Sequence, residues 1–78
     1  MSYQIKFSKY VYKDFKKISY PVIKRIKNSV DSKLSKDPYF YSKALSGSKT
    51  GQRSFRVGDY RVIFKIEEDE RIIKIMAV

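Results

Sequence analysis

The stretch SFRVGDYRVIF, residues 54–64, constrains the fold more than any other part of the chain. Two strand-like runs are separated by Gly58-Asp59, and glycine in the first position of a two-residue connection is what a type II′ hairpin turn demands. That turn sets the register. Val57 is predicted to face Tyr60, Arg56 to face Arg61, Phe55 to face Val62 and Ser54 to face Ile63. Side chains alternate along a strand, so Phe55, Val57, Tyr60, Val62 and Phe64 share one face, which must pack on something apolar. The opposite face then carries Arg56 and Arg61.

The rest of the chain supplies that packing. Tyr3, Ile5 and Phe7 alternate with Gln4 and Lys6, predicting a half-buried strand. Ser8 is placed to cap a helix in which Val11, Phe15 and Ile18 recur at helical spacing, with Lys9, Lys13, Lys16 and Lys17 on the other side. Ser19 and Pro21 suit a second helix start. Its apolar stripe is Ile23, Ile26, Val30 and Leu34, and it ends at Asp37-Pro38 because proline disfavours helical geometry in the residue before it. Residues 38–52 lack a period and are rich in Ser, Gly and Lys, predicting a loop tacked to the core by Tyr39, Phe40, Tyr41 and Leu45. Base stacking is the alternative role for those aromatics. The acidic tetrapeptide Glu67–Glu70 predicts a second turn, with Ile66 opposite Arg71, Lys74 opposite Ile63, and Ile73 and Ile75 on the core face. The expected fold class is α+β, with an N-terminal strand, an antiparallel helix hairpin and a three-stranded antiparallel meander. The helices pack on one sheet face, and residues 1–78 make one domain.

A chain of 78 residues buries only about 60% of its unfolded surface, which leaves room for one core. Lys and Arg number 18 against 8 acids, and half of those acids lie in the one turn. The balance favours a polyanionic partner such as nucleic acid, or a strongly acidic protein; a merely solvated lysine face is the plainer alternative. The absence of cysteine and histidine excludes disulfides, thiol nucleophiles and the commonest neutral-pH acid/base group. Neither a metal-ligand cluster nor a Gly-rich phosphate loop stands out, so no metal and no small-molecule cofactor is expected. No apolar run reaches signal-peptide or membrane-spanning length, so a cytoplasmic protein with no membrane partner is expected.

Like charges directly opposed in a sheet are destabilising. Arg56 and Arg61 break that rule, with Ser54, Lys65 and Lys74 predicted on the same face. A local rule broken in this way points to function. Guanidinium forks match phosphate oxygens and keep their charge near neutral pH, so a phosphodiester is the natural partner. Splaying into water, or pairing with Asp59 or Glu67, is the structural alternative.

The segment LSGSKTGQRSFRVGDYRVIF, residues 45–64, closely resembles the RelE/ParE superfamily of bacterial and archaeal toxins. Its members read as Leu-x-Gly, a short loop, and an Arg-x-Arg-Val-Gly-Asp-Tyr-Arg hairpin. RVGDYRVIF is the specific part of the signal. The order of strand, two helices, loop and three strands fits as well. The resemblance implies a toxin of the RelE type that enters the ribosome and cuts messenger RNA without a metal. The ribose 2′-hydroxyl attacks the adjacent phosphate, and a cognate antitoxin neutralises the toxin by wrapping it. By position Arg61 matches the arginine on the scissile phosphate and Arg56 the second basic residue, the expected catalytic pair. Ser54 stands where the family has its first basic residue, with Arg53 beside it. Arg53, Ser54, Lys65, Lys74 and Lys49 are the expected RNA-binding residues. In the family a strand like RIIKIMAV continues into a Gly-His-Arg or Gly-Lys-Arg tail and a Tyr. Val78 is the last residue here, so the resemblance implies a chain without the usual catalytic tail. A ParE-type toxin that blocks DNA gyrase, and an attenuated relative that only binds antitoxin or RNA, are the competing functions.

Overall fold

A computed structural model of the chain describes residues 2–45 and 51–78. Its frame is a five-stranded sheet. In chain order the elements are β1 (Gln4–Phe7), α1 (Lys9–Phe15), α2 (Tyr20–Ser29), α3 (Pro38–Tyr41), β2 (Lys43–Ala44), β3 (Arg53–Val57), β4 (Tyr60–Glu67) and β5 (Ile72–Ala77). The strands lie in the order β1-β5-β4-β3-β2. β1 runs parallel to β5, and the other neighbours are antiparallel.

The helix starts fall where the sequence predicts them, at Ser8 and Ser19. Neither serine caps with its side chain. The Ser8 hydroxyl instead donates to the Met76 carbonyl at 3.4 Å, and its N–H donates to Ile75 O at 2.9 Å, tying the start of α1 to β5. After Ser29 the second helix widens into a π turn over Val30–Leu34, where the Ser35 N–H reaches back five residues to Val30 O at 2.9 Å. The wider turn keeps Val30 and Leu34 both fully buried. Val11, Phe15, Ile26, Val30 and Leu34 from the helices meet Phe55, Val57, Val62, Phe64, Ile73 and Ile75 from the sheet in one core. Both apolar stripes and the predicted strand face are thus used against each other.

The β3–β4 register is the predicted one, Val57 to Tyr60 through Ser54 to Ile63. Gly58 has φ +59, and among the described residues the other positive values belong to Gly51 and Arg71. Positive φ at Gly58 but not at Asp59 is the type II′ pattern. The second turn differs from the expectation. Ile66 pairs with Ile73 and Lys65 with Lys74, not Ile66 with Arg71 and Lys74 with Ile63. The turn lies one residue later, with Arg71 at φ 53, a left-handed position that residue type does not advertise. The pairing moves by two residues, so Ile73 and Ile75 stay on the core face. A bulge between Ile63 and Phe64 then absorbs one residue.

Residues 38–45 are not the plain loop the sequence suggests. Asp37 accepts from the Phe40 N–H at 3.3 Å to start α3, and β2 adds a fifth strand at the β3 edge, Lys43 opposite Ser54. The predicted packing of its aromatics also fails. Pro38 is buried, while Tyr39, Phe40 and Tyr41 are 52%, 76% and 41% exposed.

Candidate nucleic-acid interface

The type II′ turn does more than reverse the chain. Val57 and Tyr60 close it and exchange both backbone bonds, so the next pair, Arg56 and Arg61, falls at a non-hydrogen-bonded position. There the facing Cα atoms approach to about 4.5 Å and the side chains lie closest. Both arginines are exposed on the face away from the helices. The Arg56 Nε–H donates to Gly58 O at 2.9 Å, which pins the start of its guanidinium over the turn. Arg61 has no hydrogen bond or ion pair among the described residues. Glu67 and Asp59 therefore do not neutralise the pair. The ion pair present among the described residues joins Arg71 to Glu68 at 3.7 Å, away from this face.

The two arginines, Ser54, Tyr41 and Lys43 line a cleft of about 260 Å³. The sequence marks Tyr41 as a core-packing or base-stacking aromatic but does not place it beside the arginines, and it does not mark Lys43 at all. Nothing in the aperiodic 38–52 segment indicates that β2 would bring Lys43 beside Ser54, and only that pairing carries them to the arginines. The cleft therefore offers three cations, two of them planar forks, together with two hydroxyls. Such a set suits an oxyanion that gains negative charge during reaction.

Lys65 and Lys74 are also on the open face but stand apart from the cleft. They pair directly, and Lys74 pairs on its other side with Lys6 of β1, giving a lysine row across three neighbouring strands. Lys65 lies four residues along β4 from Arg61, about 13 Å at strand rise. At that spacing the row and the cleft are too far apart to meet on one small anion. Lys6 escaped the sequence reading because the place of β1 beside β5 is set by tertiary packing.

Arg53 does not join this group. It shares the parity of Phe55 and Val57, and its side chain is spent on the helix side. Nε donates to Ser42 Oγ at 2.7 Å, one Nη donates to Ser42 O at 3.2 Å, and the guanidinium lies 5.2 Å from the Tyr39 ring centre. Lys49 lies outside the described residues.

A separate polar cluster locks the β4–β5 turn. Tyr3 and Tyr39 each donate a hydroxyl to Glu68, at 2.6 Å to one carboxylate oxygen and 2.6 Å to the other. Arg71 stacks on Tyr3 at 4.2 Å. The two hydroxyl donors hold the Glu68 carboxyl below its usual range, and the carboxylate in turn raises both phenols.

The fold is that of a small toxin. The chain belongs to the family described as the ParE toxin of type II toxin-antitoxin systems, whose family model matches residues 5–78, and so to the RelE/ParE superfamily. Among solved structures it is similar to the RelBE toxin-antitoxin complex of Mycobacterium tuberculosis, with TM-score 0.89 and 23% identity over 96% of this chain and 93% of that one. It is also similar to the archaeal RelE-RelB complex of Pyrococcus horikoshii, with TM-score 0.77 and 27% identity over 99% and 92%. A double mutant of the E. coli toxin RelE in the free state gives TM-score 0.76 and 15% identity over 96% and 79%. No sequence relative was found among curated proteins.

Proposed function

We propose that this toxin is an endoribonuclease of the RelE type that cuts messenger RNA on the ribosome and is held in check by a cognate antitoxin. The observation that carries this reading is the facing Arg56 and Arg61 pair, open to solvent and without a carboxylate partner among the described residues. In the proposed reaction the ribose O2′ forms a bond to the adjacent phosphorus and the P–O5′ bond breaks. A proton is lost from O2′ and one is gained by O5′, leaving a 2′,3′-cyclic phosphate and a 5′-hydroxyl. The phosphorane between them carries an extra negative charge. Arg61, free to reach it, and Arg56, pinned by Gly58, lower the barrier by stabilising that charge. Ser54 and Lys43 at the cleft wall hold the non-bridging oxygens, and Lys65 and Lys74 contact flanking phosphates. Arg53 shapes α3 from behind. The antitoxin reading is supported by similar structures described as RelBE and RelE-RelB complexes.

A second reading has its own support. The matching family model is that of ParE toxins, and a ParE-type toxin would block DNA gyrase and leave messengers whole. Induced expression in a cytoplasm without the antitoxin separates the two. Arrested protein synthesis with cut messengers is the expected result. DNA damage with intact messengers would overturn the nuclease reading in favour of the gyrase one.

A further inference from the structure

Phe40 is the most exposed large apolar side chain among the described residues, at 76%, and it is not alone. Its ring stands edge-to-face with Tyr41, centroids 5.0 Å apart and planes at 87°. Tyr41 is itself a wall of the arginine cleft. A T-shaped pair covers one face of one ring, so each ring keeps a face open to a third planar group. The backbone holds them there: Asp37 caps α3, and the Ser42 hydroxyl bonds back to Pro38 O, fixing both ends of the short helix that displays them.

We propose that Phe40 and Tyr41 form a base-stacking platform for the nucleotide next to the phosphate gripped by Arg56 and Arg61. The proposal rests on the phosphate-binding reading of that cleft and assigns it a second subsite, for a nucleobase. Charge decides the occupant. An apolar patch continuous with Arg56, Arg61 and Lys43 fits a group that is flat and apolar on one side and anionic within a few ångströms on the other, which is the makeup of a nucleotide. Stacking of this kind tolerates all four bases, so the platform positions the strand and does not read its sequence.

The chain contains no tryptophan, so Phe40→Trp places a single indole reporter on the platform. Its emission is titrated at low salt with a single-stranded RNA and with an abasic oligonucleotide of equal length and charge. Quenching by the RNA and not by the abasic strand is expected. Phe40→Ala should weaken binding of the RNA by about 5- to 150-fold and leave binding of the abasic strand unchanged, whereas Arg61→Ala should weaken both. Equal quenching by both strands, RNA binding by Phe40→Ala at the wild-type level, or no binding of either strand would overturn the platform. A platform that fails while Arg61→Ala still weakens both strands leaves the phosphate site standing. Strands indifferent to both substitutions would remove the phosphate site as well. Loss of antitoxin binding alone in Phe40→Ala would make the patch a protein-docking surface and likewise overturn the proposal.

Discussion

Arg56 and Arg61 face each other where the ladder brings side chains closest, at a cost of roughly 0.2–1 kcal/mol for like charges so placed. Such a cost persists where the charges have work to do. Arg61→Ala is therefore expected to leave the melting temperature unchanged or slightly raised, because the side chain is exposed and relieves a repulsion. RNA-directed activity should fall by two orders of magnitude or more if the arginine acts as an oxyanion donor worth about 10²- to 10³-fold. Thermal unfolding and a cleavage assay on the same preparations check this, and a variant that loses both stability and activity would make Arg61 a structural residue. Arg56→Ala should be milder, its Nε being already spent on Gly58 O. This pair was legible in the sequence because one turn dipeptide fixed its register. Lys43, Lys6 and the place of Tyr41 at the cleft were not, since each depends on a pairing between segments distant in the chain. Arg53 shows the converse: a basic residue adjacent in sequence to the site has the wrong parity and turns to Ser42 and Tyr39.

At the scale of elements, the β3–β4 hairpin depends on Gly58. A Cβ there would lie 3.6 Å from the Arg25 guanidinium, ordinary contact, so space is available. The strain of Gly58→Ala comes from φ +59, which costs an L-residue about 1–2 kcal/mol. Denaturant unfolding should report that loss, and RNA binding should fall with it because a distorted turn displaces the residue-58 carbonyl that anchors Arg56. A stability equal to wild type would mean the turn is not type II′. The other turn depends on Glu68 and gives the fold a pH signature. Its carboxyl is held low by Tyr3 and Tyr39, so the stabilisation is present above the unfolded glutamate value, near about 4.3. It is lost as pH falls through the lower folded value. The two phenols are raised, so their share is present below about 10 and is lost as pH climbs through the folded values. Melting temperature followed across pH should show wild type converging on Glu68→Gln toward the acid end; parallel curves would mean the bonds do not form in solution. These elements also mark the limit of what the sequence discloses. Helix stripes and strand alternation are periodic and were readable. A four-residue helix and a two-residue strand are too short to show a period. The β4–β5 pairing hinged on Arg71 adopting left-handed geometry, which its residue type does not signal.

On the whole-molecule scale the sheet divides labour between its faces. One side holds the core, and the other is a cationic surface running from the Lys6–Lys74–Lys65 row to the arginine cleft. With no ion pair on that surface among the described residues, each cation remains available to displace counterions from a nucleic acid. RNA affinity should fall steeply with salt, and Lys74→Ala should lower the log–log slope by about 0.7 while leaving the site of cutting unchanged. A slope near zero in wild type would contradict the electrostatic reading. The central claim, that Arg56 and Arg61 act on the scissile phosphate of a messenger, is tested most directly by mapping RNA ends on programmed ribosomes exposed to wild-type toxin and to Arg61→Ala. The account predicts new ends bearing a 2′,3′-cyclic phosphate and a 5′-hydroxyl with the wild type, and their loss with Arg61→Ala. Intact messenger with the wild-type toxin, or the same ends at undiminished yield with Arg61→Ala, would contradict it.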